Sequence, residues 1–176
     1  HDYFIRFCGF ATVPFGGVNN DVRVFELKNR RDGSSWHLFR ALGFFEADGG
    51  ASGTDPYINS HEQRHDRDGD SSILLRDALF AARAVPEVLK TLKRTTRLVL
   101  WCPDWEHAAV ALTAREAMLR GDLREVNVHL TLHNPFDHGL SAHNLRLITV
   151  KNFDWQWSAV AGQDRNTVLA RMLPLF

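Results

Sequence analysis

Several common features are scarce in this chain of 176 residues, and each scarcity excludes a class of protein. Only two cysteines occur, Cys8 and Cys102, which is too few for a disulfide framework and leaves no CxxC pair for a metal knuckle. No Asn-x-Ser/Thr sequon is present, and no apolar run approaches the length of a membrane span. These absences predict a protein of a reducing compartment, the cytoplasm, that does not cross a membrane.

The chain also has no excess of charge of either sign. Lysine and arginine number 21, aspartate and glutamate also number 21, and the formal net charge is zero. A nucleic-acid-binding domain usually carries a basic excess or a basic stripe. The short basic clusters here are typical of a solvated surface, so we expect no nucleic-acid partner.

The chain has the composition of an ordinary globular protein, with 44% hydrophobic residues. Its length suits one domain over residues 1–176. Strands are predicted over 3–13, 22–28, 97–101, 126–132, 145–150 and 157–160. Helices are predicted over 35–45, 73–93 and 104–119, with Asp104 as N-cap of the last, Pro86 as a point where the second could divide, and at most a short helix in 163–176. Early strands, a helical middle and a late antiparallel set indicate an α+β fold.

Three motifs carry a family resemblance. In "RRDGSSWHLFRAL", Asp32 and Gly33 precede a predicted helix that begins at Ser35. In "WCPDWEHAAVALTARE", Trp101 and Glu106 are followed by Ala109 and Ala111. In "DWQWSAV", Gln156 directly precedes Trp157. Together these segments, spanning 32–160, resemble papain-like cysteine proteases of the ovarian-tumour (OTU) class, whose divergent viral members suit such degenerate motifs.

The resemblance implies a small sheet packed against helices and a nucleophile at the position of Ser35, preceded by an oxyanion loop at Asp32 and Gly33. The base position falls on Gln156, and His143 is the fallback base. Serine replaces the expected cysteine and glutamine replaces the expected histidine, so the leading interpretation is an inactive pseudo-protease that binds a protein partner such as ubiquitin. The alternative is a deubiquitinase or viral polyprotein protease inactivated at Ser35. Neither interpretation implies a cofactor.

A competing motif is "HEQRH" over 61–65, which matches the H-E-x-x-H zinc signature. His61 and His65 would bind the metal and Glu62 would act as base. The surrounding residues are polar, whereas the motif normally lies on a buried helix. We therefore expect no metal site, and a zinc hydrolase remains a third alternative.

Overall fold

A computed structural model describes residues 2–45, 73–133, 137–149 and 167–176. Five strands lie in this part of the chain: β1 (Tyr3–Phe15), β2 (Val18–Asn29), β3 (Ser35–Ala41), β4 (Leu98–Pro103) and β5 (Val126–Thr131). Four α-helices accompany them: α1 (Ile73–Thr91), α2 (Val110–Leu119), α3 (Ala142–Ile148) and α4 (Val168–Met172). Short 3-10 turns cover Trp105–His107 and Leu173–Leu175.

The first three strands form an antiparallel meander in the order β1-β2-β3. The β1–β2 turn uses two glycines, Gly16 and Gly17, both with positive φ, a backbone conformation that glycine adopts without steric cost. A β-bulge interrupts the register of β1 between Phe7 and Gly9. From the bulge to the β1–β2 turn, one face of the meander enters the core through Ala11, Val13 and other small or β-branched side chains.

The second sheet consists of β4 and β5, which pair in parallel. Parallel strands need a crossover between them, and α2 provides it. The prediction of a late antiparallel set is therefore wrong in detail, since residues 142–148 are helical where a strand was expected. The coarser prediction of a mixed fold of helices and small sheets is confirmed.

Helix α1 packs against β1 and α2 and contributes buried apolar side chains, among them Leu75, Leu79 and Phe80. Pro86 lies inside this helix without dividing it. Proline lacks an N–H, so the carbonyl of Ala82, four residues earlier, loses its helical partner. The Thr113 hydroxyl on α2 donates to that carbonyl at 2.6 Å, which explains why an unbroken helix tolerates the proline.

Helices α1 and α2 are also joined by a buried ion pair. Arg83 Nη1 donates to Glu116 Oε2 at 2.6 Å, and both side chains are almost completely buried. Glu87 and Arg120 extend the pair towards the surface. Desolvation lowers the pKa of Arg83, and the charge of Glu116 opposes that shift. Among the described residues, no helix is both long enough and apolar enough to cross a bilayer.

Candidate functional site

The carboxyl ends of β4 and β5 meet at one edge of the parallel sheet, where Pro103 pairs with Thr131. In open α/β sheets this edge is the usual position of ligands. Asp104 follows β4 directly, and its backbone N–H donates to the Thr131 carbonyl at 2.8 Å. Its carboxylate accepts the backbone N–H of His133 at 2.7 Å. One aspartate therefore holds the two strand ends together.

Asp104 has an unusual backbone conformation, with φ 57° and ψ 176°. This region of φ/ψ space is populated almost entirely by glycine, and a residue with a side chain pays roughly 1–3 kcal/mol to remain there. The contacts to Thr131 and His133 keep the backbone in place. The expected helix N-cap at Asp104 is wrong, since its side chain makes no cap hydrogen bond and serves the neighbouring strand instead. Backbone strain at a strand end is a structural indication of a functional position.

The turn after Asp104 presents two more polar side chains, Glu106 and His107. The His107 Nδ1 lies 2.7 Å from the Pro103 carbonyl. A carbonyl only accepts hydrogen bonds, so Nδ1 carries the proton and Nε2 is the ring atom left to accept. His107 is exposed and Glu106 is half-buried. Asp104 and His107 thus present one carboxylate and one imidazole at the strand ends, and His133 contributes its backbone N–H.

Trp105 anchors the turn that follows Asp104 to the core. Its side chain is fully buried, and its ring lies 5.4 Å from the ring of His138. The segment containing His138 is fixed in turn: the His138 carbonyl accepts the Val168 N–H, and the Asp137 carboxylate accepts the N–H groups of His138 and Leu169. The polar edge therefore rests on a rigid base.

The sequence matches no protein-family model and no curated protein. The fold matches a solved structure, the catalytic domain of starch synthase IV from Arabidopsis thaliana bound to ADP and acarbose, with a TM-score of 0.65. The chain has the fold of part of a starch synthase domain. The match has 17% sequence identity, and it covers 94% of this chain and 31% of that chain, so the chain spans about a third of the solved domain.

The OTU-class prediction is wrong, and with it the interpretations as a pseudo-protease, a deubiquitinase or a viral protease, because the structural relative is a starch synthase domain. The local reason lies at Ser35. Residues 35–41 form a strand rather than a helix, so Ser35 has no helix N-terminus to lower a nucleophile's pKa or to bind an oxyanion. Asp32 and Gly33 lie in the β2–β3 turn, where the Asp32 carboxylate accepts the N–H and the hydroxyl of Ser34. These bonds lower the pKa of Asp32.

The structure does not bring Ser35 and His143 together. His143 lies exposed on α3, the helix whose Leu147 carbonyl accepts the N–H of Gly16 in the β1–β2 turn. Ser35 is the first residue of β3 and pairs with Lys28, at the end of β2 far from that turn. At roughly 3.4 Å per residue, the two ends of β2 are about 35 Å apart. Gln156 lies outside the described residues, and its predicted pairing with Ser35 lies there too.

The H-E-x-x-H segment, with His61, Glu62 and His65, also lies outside the described residues. Within residues 2–45, 73–133, 137–149 and 167–176, no three histidine, cysteine, aspartate or glutamate side chains converge as metal ligands would. Cys102 is buried at the end of β4, and burial raises the pKa of its thiol to about 11. This supports the structural role that its apolar surroundings predict.

Sequence reasoning missed Asp104 and His133 as site residues. The signal was present: a short apolar strand, "LVLWCP", leads directly into "DWEH", and a second strand, "VNVHLT", leads into a histidine. Polar residues after consecutive parallel strands mark a common ligand edge. Two sequence expectations hide this signal: Asp104 is expected to cap a helix, and the strand over 126–132 is expected to belong to a late antiparallel set.

Proposed function

We propose that this chain is part of a glycosyltransferase-type domain and that the polar edge formed by Asp104, His107 and His133 binds a glucan oligosaccharide. The single observation that carries the proposal is the strained Asp104, whose carboxylate is held by the His133 amide at the carboxyl end of a parallel sheet. The likeness in fold to a domain bound to ADP and acarbose supports carbohydrate as the ligand class.

The chemistry of the edge suits a sugar. A carboxylate accepts several hydrogen bonds at once, and a neutral imidazole nitrogen accepts one more. Sugar hydroxyls donate such bonds, and groups held rigidly before binding lose little entropy when they form them. Asp104 is fixed by two backbone contacts and His107 by one, so the acceptors are preorganised.

The experiment is calorimetric titration of the purified chain with acarbose, maltoheptaose and ADP in separate runs. We expect saturable binding of the oligosaccharides. Asp104→Ala and His107→Ala should each weaken binding at least tenfold, which corresponds to about 1.4 kcal/mol. Ser35→Ala, at the far end of the meander, is the matched control and should bind as the unmodified chain does.

Two results would contradict the proposal. Oligosaccharide binding that Asp104→Ala and His107→Ala leave unchanged would place the sugar elsewhere. Binding of ADP that Asp104→Ala abolishes, without any oligosaccharide binding, would assign this edge to the nucleotide rather than to the glucan. Circular dichroism of each variant separates loss of binding from loss of folding.

A further inference from the structure

The meander changes its apolar face part-way along its length. Near the β1–β2 turn, Val22 and Val24 of β2 point into the core and are fully buried. Beyond Val24 the apolar positions of β2 are Phe25 and Leu27, which lie on the opposite face because neighbouring strand residues alternate in direction. The two halves of one strand therefore present apolar side chains on opposite faces.

All three strands change face at the same level. On β3, Ala41 is buried, whereas Leu38 and Trp36 pair with Phe25 and Leu27 on the other face. On β1 the bulge between Phe7 and Gly9 makes the change, since one extra residue inverts which face the following side chains occupy. On β2 and β3 the change is a shift in the alternation of apolar residues, whereas on β1 it is the bulge. All three strands therefore move their apolar side chains to the other face at the same level of the sheet.

The result is a continuous apolar surface on the side of the meander away from α1. We call it the outer apolar face, and its residues are Tyr3, Ile5, Phe7, Phe10, Phe25, Leu27, Trp36 and Leu38. Their rings contact one another: Tyr3 lies 6.0 Å from Trp36, and Phe7 lies 5.2 Å from Phe10 and 5.5 Å from Phe25. Ile5 is 67% exposed, and Tyr3, Phe7, Phe10, Trp36 and Leu38 are each 47–59% exposed.

The reverse side of the same strand segments is largely polar, and its Phe4, the cross-strand partner of Lys28, has the Arg30 guanidinium 5.5 Å from its ring. Arg6 pairs with Glu26 at 2.8 Å, and Lys28 and His37 lie on this side as well, since Lys28 follows the alternation of Glu26 and His37 is the cross-strand partner of Glu26. These polar side chains suit this side to contact with solvent. The outer apolar face ends where Arg23 and Arg40 stand opposite each other. An apolar surface with a charged boundary marks a protein interaction site.

We propose that the outer apolar face is the interface of a homodimer, in which the meanders of two copies pack face to face. Six large side chains, each with a total area of roughly 150–250 Å² of which about half is exposed, offer on the order of 600 Å². With the partly buried Phe25 and Leu27 and a polar rim, this approaches the roughly 800 Å² per partner of a stable interface. A flat apolar sheet face suits isologous pairing, in which the same patch meets itself at a sheet separation of about 10 Å.

Sedimentation equilibrium of the full chain, between about 1 and 100 µM, tests the proposal in the range where interfaces of this size associate. We expect a dimer. Leu38→Lys and Ile5→Glu should each raise the dissociation constant at least a hundredfold, because each places a charge in an apolar contact. Both positions are exposed in one copy, so far-UV circular dichroism should remain unchanged.

The matched control is His37→Lys, which introduces the same side chain on the same strand but on the polar side, and it should remain dimeric. A monomer throughout the concentration range would overturn the proposal and leave the face to a different partner. A dimer that Leu38→Lys leaves intact, or that His37→Lys disrupts equally, would also overturn it, because pairing along the β3 edge would then be the better explanation.

Discussion

Thr113 donates its hydroxyl to the main-chain carbonyl of Ala82 on a different helix, at 2.6 Å. The bond completes α1 at the one turn where Pro86 cannot supply a hydrogen. A helix that contains proline is usually kinked or divided, yet α1 runs unbroken from Ile73 to Thr91. The polar side chain of α2 thus repairs a defect in the backbone of α1.

Thr113→Val should lower the free energy of unfolding by about 1–3 kcal/mol, because valine has the same shape but leaves a buried carbonyl without a donor. In a Pro86→Ala background the introduced alanine supplies an amide that can donate to the Ala82 carbonyl, so Thr113→Val should then cost less than about 1 kcal/mol. Urea denaturation of the four proteins completes a double-mutant cycle. Equal costs in both backgrounds would contradict the repair.

The buried Arg83–Glu116 pair gives a second stability prediction. Glu116→Gln should destabilise the chain by about 3–5 kcal/mol, because it leaves the buried guanidinium without its main counter-charge. Glu125→Gln is the matched control: its partner Arg97 lies 3.9 Å away and both side chains are largely exposed, so the change should cost less than about 1 kcal/mol. Chemical denaturation measures both. A Glu116→Gln cost no larger than the control's would show that Glu87 alone suffices.

Asp104→Gly should separate stability from binding. Glycine removes the backbone strain of roughly 1–3 kcal/mol, while loss of the bond to the His133 amide costs a similar amount. We therefore expect the melting temperature to change little and oligosaccharide affinity to fall at least tenfold. Differential scanning calorimetry and calorimetric titration on the same preparation measure the two effects. A large drop in melting temperature would show that the carboxylate serves chiefly to hold the fold together.

The thiol of Cys102 gives a prediction for alkaline pH. Its pKa rises from 9.0 to about 11 in the folded chain, so the unfolded chain loses this proton first as pH increases. The contribution of this thiol to the free energy of unfolding is fully present below about pH 9 and decreases as pH rises towards 11. Cys102→Ala should flatten that decrease in the free energy of unfolding between about pH 9 and 11. Identical pH profiles for the two proteins would contradict the assignment.

Hydrophobic periodicity predicted much of the fold. The predicted helix over 73–93 and strands over 97–101 and 126–132 correspond to α1, β4 and β5, because each has a pattern set by one or two buried faces. The segment 35–45 was predicted as a helix because its apolar residues are dense. That density arises where β3 changes face between Leu38 and Phe39, so neighbouring apolar residues belong to opposite sides of a sheet.

The candidate site was less accessible to prediction. Asp104 and His133 are separated along the chain and meet only because β4 and β5 pair in parallel. Single-sequence patterns do not reveal how two strands pair, and the Ser35 hypothesis depended on a helix that tertiary pairing replaced with a strand. Both features depend on the pairing of strands that are distant along the chain.

The change of face in the meander also bears on local unfolding. Thr91, the last residue of α1, reaches the Phe10 carbonyl with its hydroxyl, just on the core side of the bulge. Beyond that point, the paired residues Arg6 and Glu26 belong to strand segments whose outward neighbours are exposed in a single copy. Regions with few buried contacts open at a lower free energy than the global transition. Native-state amide exchange should therefore divide β1 and β2 at the bulge, with slow exchange at Val13 and Val22 and faster exchange at Arg6 and Glu26.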